Sequence, residues 1–390
     1  MSKGALGLLS AYWPEETPRY ANVPLKTVSD IVIHSIARST PERPALVSAG
    51  GVLSYGELSR RVLRFSQALR TRCERGARVL IALTEPAELL IAAFGAFEAK
   101  TLALLSPGVC ESETASAFAP DLVIGRADIP GVQSIGFSEL MDSPVKELAE
   151  RPELRAPVLV LARPDRRGEI FHNHRTLLAT AVALDKFFRL AANSQVVLLE
   201  PPSAWHTLGL LLATWHRGGT VWAGWGGARK ALPECADYVV CGWEGAERLL
   251  EDLRSSRPPV QIIAGVILGV EGPFSISRRR RLSRRMGAPV LTLLGRNDIG
   301  PIIASHPTWF LDEAAGIPLP NVDTRPLNPA ERTPLSIGWD VVEQAEIGVK
   351  SDLAPAGGAM AEGWLQTGIV AEVDPTGLYL LRPSAVLRAI

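Results

Sequence analysis

Cysteine is scarce in this chain: four in 390 residues, at Cys73, Cys110, Cys235 and Cys241. No pair makes C-x-x-C, and no histidine stands near Cys235 and Cys241 at zinc-finger spacing, which excludes a dense disulfide framework and a cysteine-based zinc module. The expectation is reduced thiols in a cytoplasmic protein. Charge of one sign is also lacking, with 41 Lys+Arg against 41 Asp+Glu. Bulk electrostatics therefore draws the chain toward neither nucleic acid nor anionic membrane. Long hydrophobic runs are missing: Leu89–Phe97 and Leu208–Thr214 fall well short of the ~20 residues of a bilayer span. Residues 1–22 carry charges and two prolines and have no apolar signal core. No His, Asp and Glu cluster has metal-ligand spacing, so no metal is expected.

What is present is ordinary globular composition, 47% hydrophobic and 21% charged, long enough for one large core or two ordinary ones. Thr27–Ser39 has apolar residues at helical spacing and ends before Pro41 and Pro44. Pro44–Ser48 and Gly51–Ser54 read as a strand pair turning at Gly50–Gly51. Ser54 and Glu57 make the capping-box pattern that opens a helix Tyr55–Arg72. Strands follow at Ala77–Leu83, Leu102–Leu105, Asp121–Ile124, Val158–Ala162, Gln195–Leu199, Thr220–Ala223 and Tyr238–Cys241, with helices at Pro86–Ala99 and Arg175–Leu190. Such alternation predicts a mostly parallel α/β sheet. After Pro301 short strands lie among many prolines and glycines, so residues 1–300 are expected as an α/β core and 301–390 as a small β-rich lobe.

Three landmarks stand in order within Thr27–Pro107: "TPERPAL" (Thr40–Leu46), "SYGEL" (Ser54–Leu58) and "GARV" (Gly76–Val79). Farther on come "GAPVLTLLGRNDIG" (Gly287–Gly300) and "EGWLQTGIVAEVDPTGLYLL" (Glu362–Leu381). The ordered set, spanning nearly the whole chain, resembles the adenylate-forming superfamily of acyl-CoA synthetases and adenylation domains. The resemblance implies the large N-terminal domain of that fold. It also implies that the mobile C-terminal lid, with its catalytic lysine, would begin only about where the chain stops at Ile390.

Against the resemblance stand departures at each ATP contact. The family's glycine-rich phosphate loop places small residues and a lysine around the anion. Its counterpart here is "VLARPDRRGE" (Val160–Glu169), with Ala162 and Asp165 for glycines and Gly168 for the lysine. The Asp165 carboxylate opposes a phosphate by simple repulsion, and the long side chains of Arg166 and Arg167 restore no glycine loop. The metal-holding T-E pair becomes Asn297-Asp298, the ribose-binding aspartate after Thr367-Gly368 becomes Ile369, and the G-G-x-P stretch becomes Val270–Pro273. These departures imply a member that uses neither ATP nor metal.

The acyl pocket of relatives is lined by the loop here numbered Pro201–Gly209, "PPSAWHTLG". His206 falls near the position that approaches the substrate carboxylate, and imidazole suits proton transfer near neutral pH. Ser203 is a candidate nucleophile beside it, and Cys241, at a strand end, is a second one or simply small apolar packing. Trp205, Gly209, Gly295, Asn297 and Thr367 are the expected substrate-lining positions. His172 and His174 fit hydrogen bonding around a helix start, and His34, His216 and His306 fit structural or surface roles. In "SISRRRRLSRRMG" (Ser275–Gly287), Arg278, Arg281 and Arg285 share one helix face. That face is either solvated or suited to an acidic partner.

A fold and acyl pocket kept while ATP contacts are lost implies an acyltransferase handed a ready CoA thioester. Its expected partner is an acyl carrier protein, in a bacterial-type polyketide or quinoline secondary-metabolite pathway such as antibiotic biosynthesis. A non-catalytic scaffold and a divergent acyl-CoA ligase needing a separate C-terminal domain remain the alternatives.

Overall fold

The structure, a computed structural model, describes residues 13–108, 115, 117–127, 129–144, 153–162, 169–225, 232–252, 260–272, 274–308, 310–355 and 360–381. Cys110, the loop residues Asp165, Arg166, Arg167 and Gly168, Pro273 and the stretch to Ile390 lie outside the described residues. A π-helical turn Asp30–His34 runs into α1 (Ser35–Ser39), then β1 (Pro44–Ser48), β2 (Gly51–Ser54), α2 (Tyr55–Leu69), β3 (Arg78–Ala82), α3 (Pro86–Glu98) and β4 (Leu102–Leu105). Next come β5 (Leu122–Gly125), β6 (Gln133–Ile135), α4 (Phe137–Asp142), β7 (Pro157–Ala162), β8 (Glu169–Asn173), α5 (His174–Phe188), β9 (Gln195–Leu198) and α6 (Trp205–Arg217). They are followed by β10 (Thr220–Ala223), β11 (Cys235–Cys241), α7 (Trp243–Asp252), β12 (Gln261–Val270), α8 (Ile276–Met286), β13 (Val290–Arg296), β14 (Gly300–Ala304) and β15 (Ile317–Pro318). Strands β16 (Val322–Leu327), β17 (Val342–Ser351), β18 (Met360–Ala361), β19 (Trp364–Val373) and β20 (Tyr379–Leu380) complete the described chain.

These strands form three sheets. The six-stranded sheet has the order β6-β5-β3-β4-β7-β8, parallel except for its β7–β8 edge. The nine-stranded sheet, β15-β14-β13-β12-β11-β9-β10-β1-β2, is parallel from β13 to β1 and antiparallel at both ends. The five-stranded sheet of β16 to β20 is antiparallel. This is the expected α/β architecture with a small antiparallel lobe. The chain after Pro301 first adds β15 to the nine-stranded sheet, and the lobe's own strands begin at Val322.

Why the strands form is plain from their composition. Segments such as β4 and β13 are near-continuous apolar runs because both sheet faces are covered. The predicted capping at Ser54 is present: its hydroxyl accepts the Glu57 N–H at 3.2 Å. The predicted helix over Thr27–Ser39 differs, opening with a π turn, and its His34 Nδ1 lies 2.8 Å from Ser59 Oγ on α2.

Two helix pairs fill the interior. On α3, Gly95 lets Phe65 of α2 come close; a Cβ there would sit 2.5 Å from the Phe65 ring. Helix α6 is buried from Trp205 to Trp215. Trp215 donates its indole N–H to the Ala45 carbonyl of β1 at 2.8 Å and packs 5.4 Å from Phe94 of α3. At the far end of α6, fully buried Asp185 of α5 binds His216 Nδ1 (3.0 Å) and Arg217 Nε (2.7 Å). Among the described residues no helix is long and apolar enough to cross a membrane, and Cys73, Cys235 and Cys241 are free thiols.

Removing the Asp185 carboxylate leaves His216 and Arg217 without their shared acceptor at the α5–α6 junction. Asp185→Ala should lower unfolding free energy by about 2 kcal/mol, the cost of losing hydrogen bonds to a buried carboxylate. A urea midpoint equal to wild type would refute this anchoring role.

Candidate functional site

Parallel strands β9, β11, β12 and β13 all end on one side of the nine-stranded sheet, the side where open α/β sheets bind ligands. Just past β9 stands Glu200, the organising carboxylate of this crevice. It accepts the backbone N–H groups of Gly242 (2.9 Å) and Gly245 (3.0 Å), where β11 turns into α7. His206 Nε2 lies 3.1 Å from Oε2, the oxygen that also receives the Gly242 N–H. Burial pushes the Glu200 carboxyl up, but the His206 hydrogen bond and charge, with the two amides, outweigh it and hold the group below its ordinary value. An ionised carboxylate only accepts, so Nε2 donates to it, and in the neutral form of the ring Nδ1 carries the lone pair.

The pair is held closely by backbone. His206 is the second residue of α6. Its ring lies over Gly269 of β12, where a Cβ would come 2.5 Å from Cγ. A Cβ at Gly245 would come 2.6 Å from Glu200 Oε1. Glycine is thus required near the end of β12 and in the first turn of α7. Buried His206 Nδ1 has no hydrogen-bond partner in the protein. Glu200, Gly245 and Gly269 are not marked by the sequence; a carboxylate closing an apolar strand before Pro201-Pro202 is the one signal that points to Glu200.

The other candidates fall around this pair. Ser203 is half-buried in the loop before α6 and makes no hydrogen bond to His206. Cys241 is fully buried next to the pair, and burial first, then the Glu200 charge, push its thiol up. Trp205 donates its backbone N–H to Asn297 Oδ1 at 3.0 Å, joining the start of α6 to the loop after β13. Gly209 packs against α5, where a Cβ would meet Leu184 at 2.7 Å. Gly295 faces β14, with a Cβ position only 2.4 Å from the Gly300 carbonyl.

Across the crevice Arg296 grips Asp298 through Nε (2.8 Å) and Nη2 (2.7 Å). Gly368, at positive φ on the lobe, lies over Arg296 and donates its N–H to Glu346 Oε1 at 2.7 Å. Thr367 is buried and donates to the Ile347 carbonyl at 2.7 Å, and Ile369 is in the hydrophobic core. Arg278, Arg281 and Arg285 are exposed on α8, well apart in sequence and element from Glu200 and His206. Arg278 reaches Glu247 of α7 at 3.5 Å.

Asn173 and Thr176 form a reciprocal cap on α5. His174 begins that helix and accepts the Val28 N–H at 3.4 Å. His172, one residue before the cap, is buried with neither ring nitrogen in a well-formed hydrogen bond, and the nearby Asn297 backbone only partly offsets the burial. Burial lowers both imidazoles to about 4. Among the described residues no group of three His, Cys, Asp or Glu is placed to hold a metal ion.

A large domain of two mainly parallel sheets with a small antiparallel lobe, its polar residues gathered at the strand ends, is the N-terminal architecture of the adenylate-forming enzymes. The family described as AMP-binding enzyme matches residues 33–106. The o-succinylbenzoate CoA synthetase (MenE) of Bacillus subtilis, bound with its product analogue, is similar with a TM-score of 0.77 and 17% identity, over 90% of this chain and 78% of that one. The same enzyme with its acyl-adenylate intermediate gives 0.75 and 18%, over 91% and 78%. ATP-bound MatB of Rhodopseudomonas palustris gives 0.75 and 18%, also over 91% and 78%. No curated protein sequence matches significantly. The fold is thus shared with these solved synthetases, and the segment 33–106 is similar to the AMP-binding enzyme family.

His172 gives the site a pH signature. Its unfolded-state value is 6.5 and its native value about 4, so on acidification the unfolded chain binds the proton first. Its contribution to stability is complete above pH 6.5 and is lost progressively toward about pH 4. From about pH 7 to about pH 5, wild type should lose on the order of 2 kcal/mol more than His172→Leu in denaturant titrations. Parallel losses in the two proteins would contradict it.

Proposed function

We propose that this chain is an acyltransferase that moves an aryl or acyl group from CoA to the pantetheine thiol of an acyl carrier protein, without ATP. The observation that carries this reading is the His206–Glu200 pair at the strand ends, an imidazole that meets the carboxylate through Nε2 and whose buried Nδ1 has no hydrogen-bond partner. In the proposed step substrate entry uncovers Nδ1, which is buried in the free protein, and Nδ1 removes the proton from the carrier thiol. The thiolate adds to the thioester carbonyl, the carbon–sulfur bond to CoA breaks, and the departing CoA thiolate recovers the proton from Nδ1. Glu200 stabilises the transient imidazolium, as a carboxylate does for any such base. One thioester replaces another, so the exchange is nearly isoenergetic and needs no phosphoryl donor.

The remaining contacts support a reading free of ATP and metal. Asp298, the counterpart of the family's metal-holding glutamate, is committed bidentately to Arg296. Ile369, the counterpart of the ribose aspartate, is apolar and buried. Those residues fit neither role, and no step is routed through either group. Full burial and a raised thiol make Cys241 a poor nucleophile. Direct attack by the carrier thiol or relay through Ser203 is the chemistry left. The exposed Arg278, Arg281 and Arg285 would receive the carrier's acidic surface.

The test supplies aryl- and short acyl-CoA donors with a carrier protein and no ATP. Transfer should occur, and His206→Ala should slow it on the order of a hundredfold or more. With Ser203 as relay, acyl-CoA alone leaves a mass adduct that Ser203→Ala abolishes; direct transfer leaves none. Absence of transfer, or carboxylate-dependent pyrophosphate exchange with ATP, would overturn the proposal.

Carrier docking is checked separately. Reversing Arg278, Arg281 and Arg285 to glutamate should weaken carrier binding most at low salt and leave the melting temperature nearly unchanged, because the side chains are exposed. Equal affinity at low salt would remove α8 from the docking surface.

A further inference from the structure

Helix α8 holds six arginines in eleven residues, and one of them is inside the protein. Arg279 is 1% exposed. Its Nε donates to the Val290 carbonyl (2.8 Å), Nη1 to the Asp312 carbonyl (3.2 Å) and Nη2 to Ser305 Oγ (3.3 Å), and its guanidinium lies 4.7 Å from the Phe310 ring centre. Every one of these hydrogen-bond partners is neutral. A buried cation is ordinarily paired with an anion, yet the nearest carboxylate, Asp312, is bound through Oδ2 to Arg280 Nε at 2.8 Å. Burial accordingly pulls the Arg279 guanidinium down to about 10.

The buried guanidinium helps line a cleft of about 550 Å³, whose walls include Arg280, Arg284, Ser283 and Phe310. Three guanidiniums there face a single carboxylate, that of Asp312. The cleft lies beside Val290, where β13 begins, and the candidate site lies at its other end, beyond Arg296. Seven residues of strand separate them, roughly 20 Å at ~3.3 Å per residue. This is a second polar concavity, apart from His206.

We propose that this cleft binds a phosphate-bearing anion, held by Arg280 and Arg284 over the buried Arg279 and backed by Phe310. Guanidinium forks match phosphate oxygens bidentately, and a bound dianion would supply the countercharge that Arg279 lacks. Phosphate arriving free and phosphate carried on CoA share this chemistry.

The experiment titrates the full chain by calorimetry with inorganic phosphate, CoA and 3′-dephospho-CoA, in wild type and in Arg280→Gln/Arg284→Gln. Both substituted residues are exposed, so the variant should melt like wild type; if it does not, the single Arg284→Gln variant serves. At least one phosphate-bearing probe should bind wild type saturably, weaken with salt, and bind the variant at least tenfold more weakly. A loss seen for CoA but not for its 3′-dephospho form assigns the cleft to the 3′-phosphate of CoA; a loss for inorganic phosphate alone assigns it to a free anion. If every probe binds both proteins equally, or none binds wild type, the proposal is overturned. The outcome is independent of acyl transfer, because neither arginine belongs to the His206 site.

Discussion

One carboxylate ties the crevice together. Glu200 receives two backbone amides from the β11–α7 turn and the imidazole of α6, so a strand end, a turn and a helix start converge on one side chain. Buried without those donors it would take up a proton, and with them it remains charged. The orientation of His206 depends on this, as does the need for Gly242, Gly245 and Gly269. Each of the three leaves room where a Cβ would press on the pair.

The opposite wall is built on the same principle with different residues. Arg296 and Asp298 satisfy each other across two hydrogen bonds, and Gly368 of the lobe lies against the guanidinium. The side chains that the resemblance would assign to a nucleotide are thus engaged with one another or withdrawn into the core, as Ile369 is. The Glu200 side of the crevice, in contrast, holds an imidazole whose buried Nδ1 has no hydrogen-bond partner.

Net neutrality conceals strong local segregation of charge. Arginines concentrate on α8, one turned inward and five outward, while acidic residues are spread elsewhere. The inward arginine interrupts the polar face that helical spacing alone describes. Its guanidinium satisfies two carbonyls and a hydroxyl at the β13 and β14 edge.

Local pattern was enough for much of the fold. The β1–β2 hairpin, the Ser54 cap, the alternation of strands and helices and the β-rich end follow from periodicity, glycine and proline placement, and capping, all properties of neighbouring residues. His206, Asn297 and the exposed arginines were marked by position within motifs. Glu200, Gly245, Gly269 and the buried Arg279 were not, since their roles exist only where β9, β11, β12, α6, α8 and β13 meet. Whether a histidine is oriented, a thiol is buried or an arginine has a counterion depends on partners tens of residues away. Sequence determined which elements form and in what order; packing decided which side chains became a site, because burial and hydrogen-bond partners belong to the assembled layers.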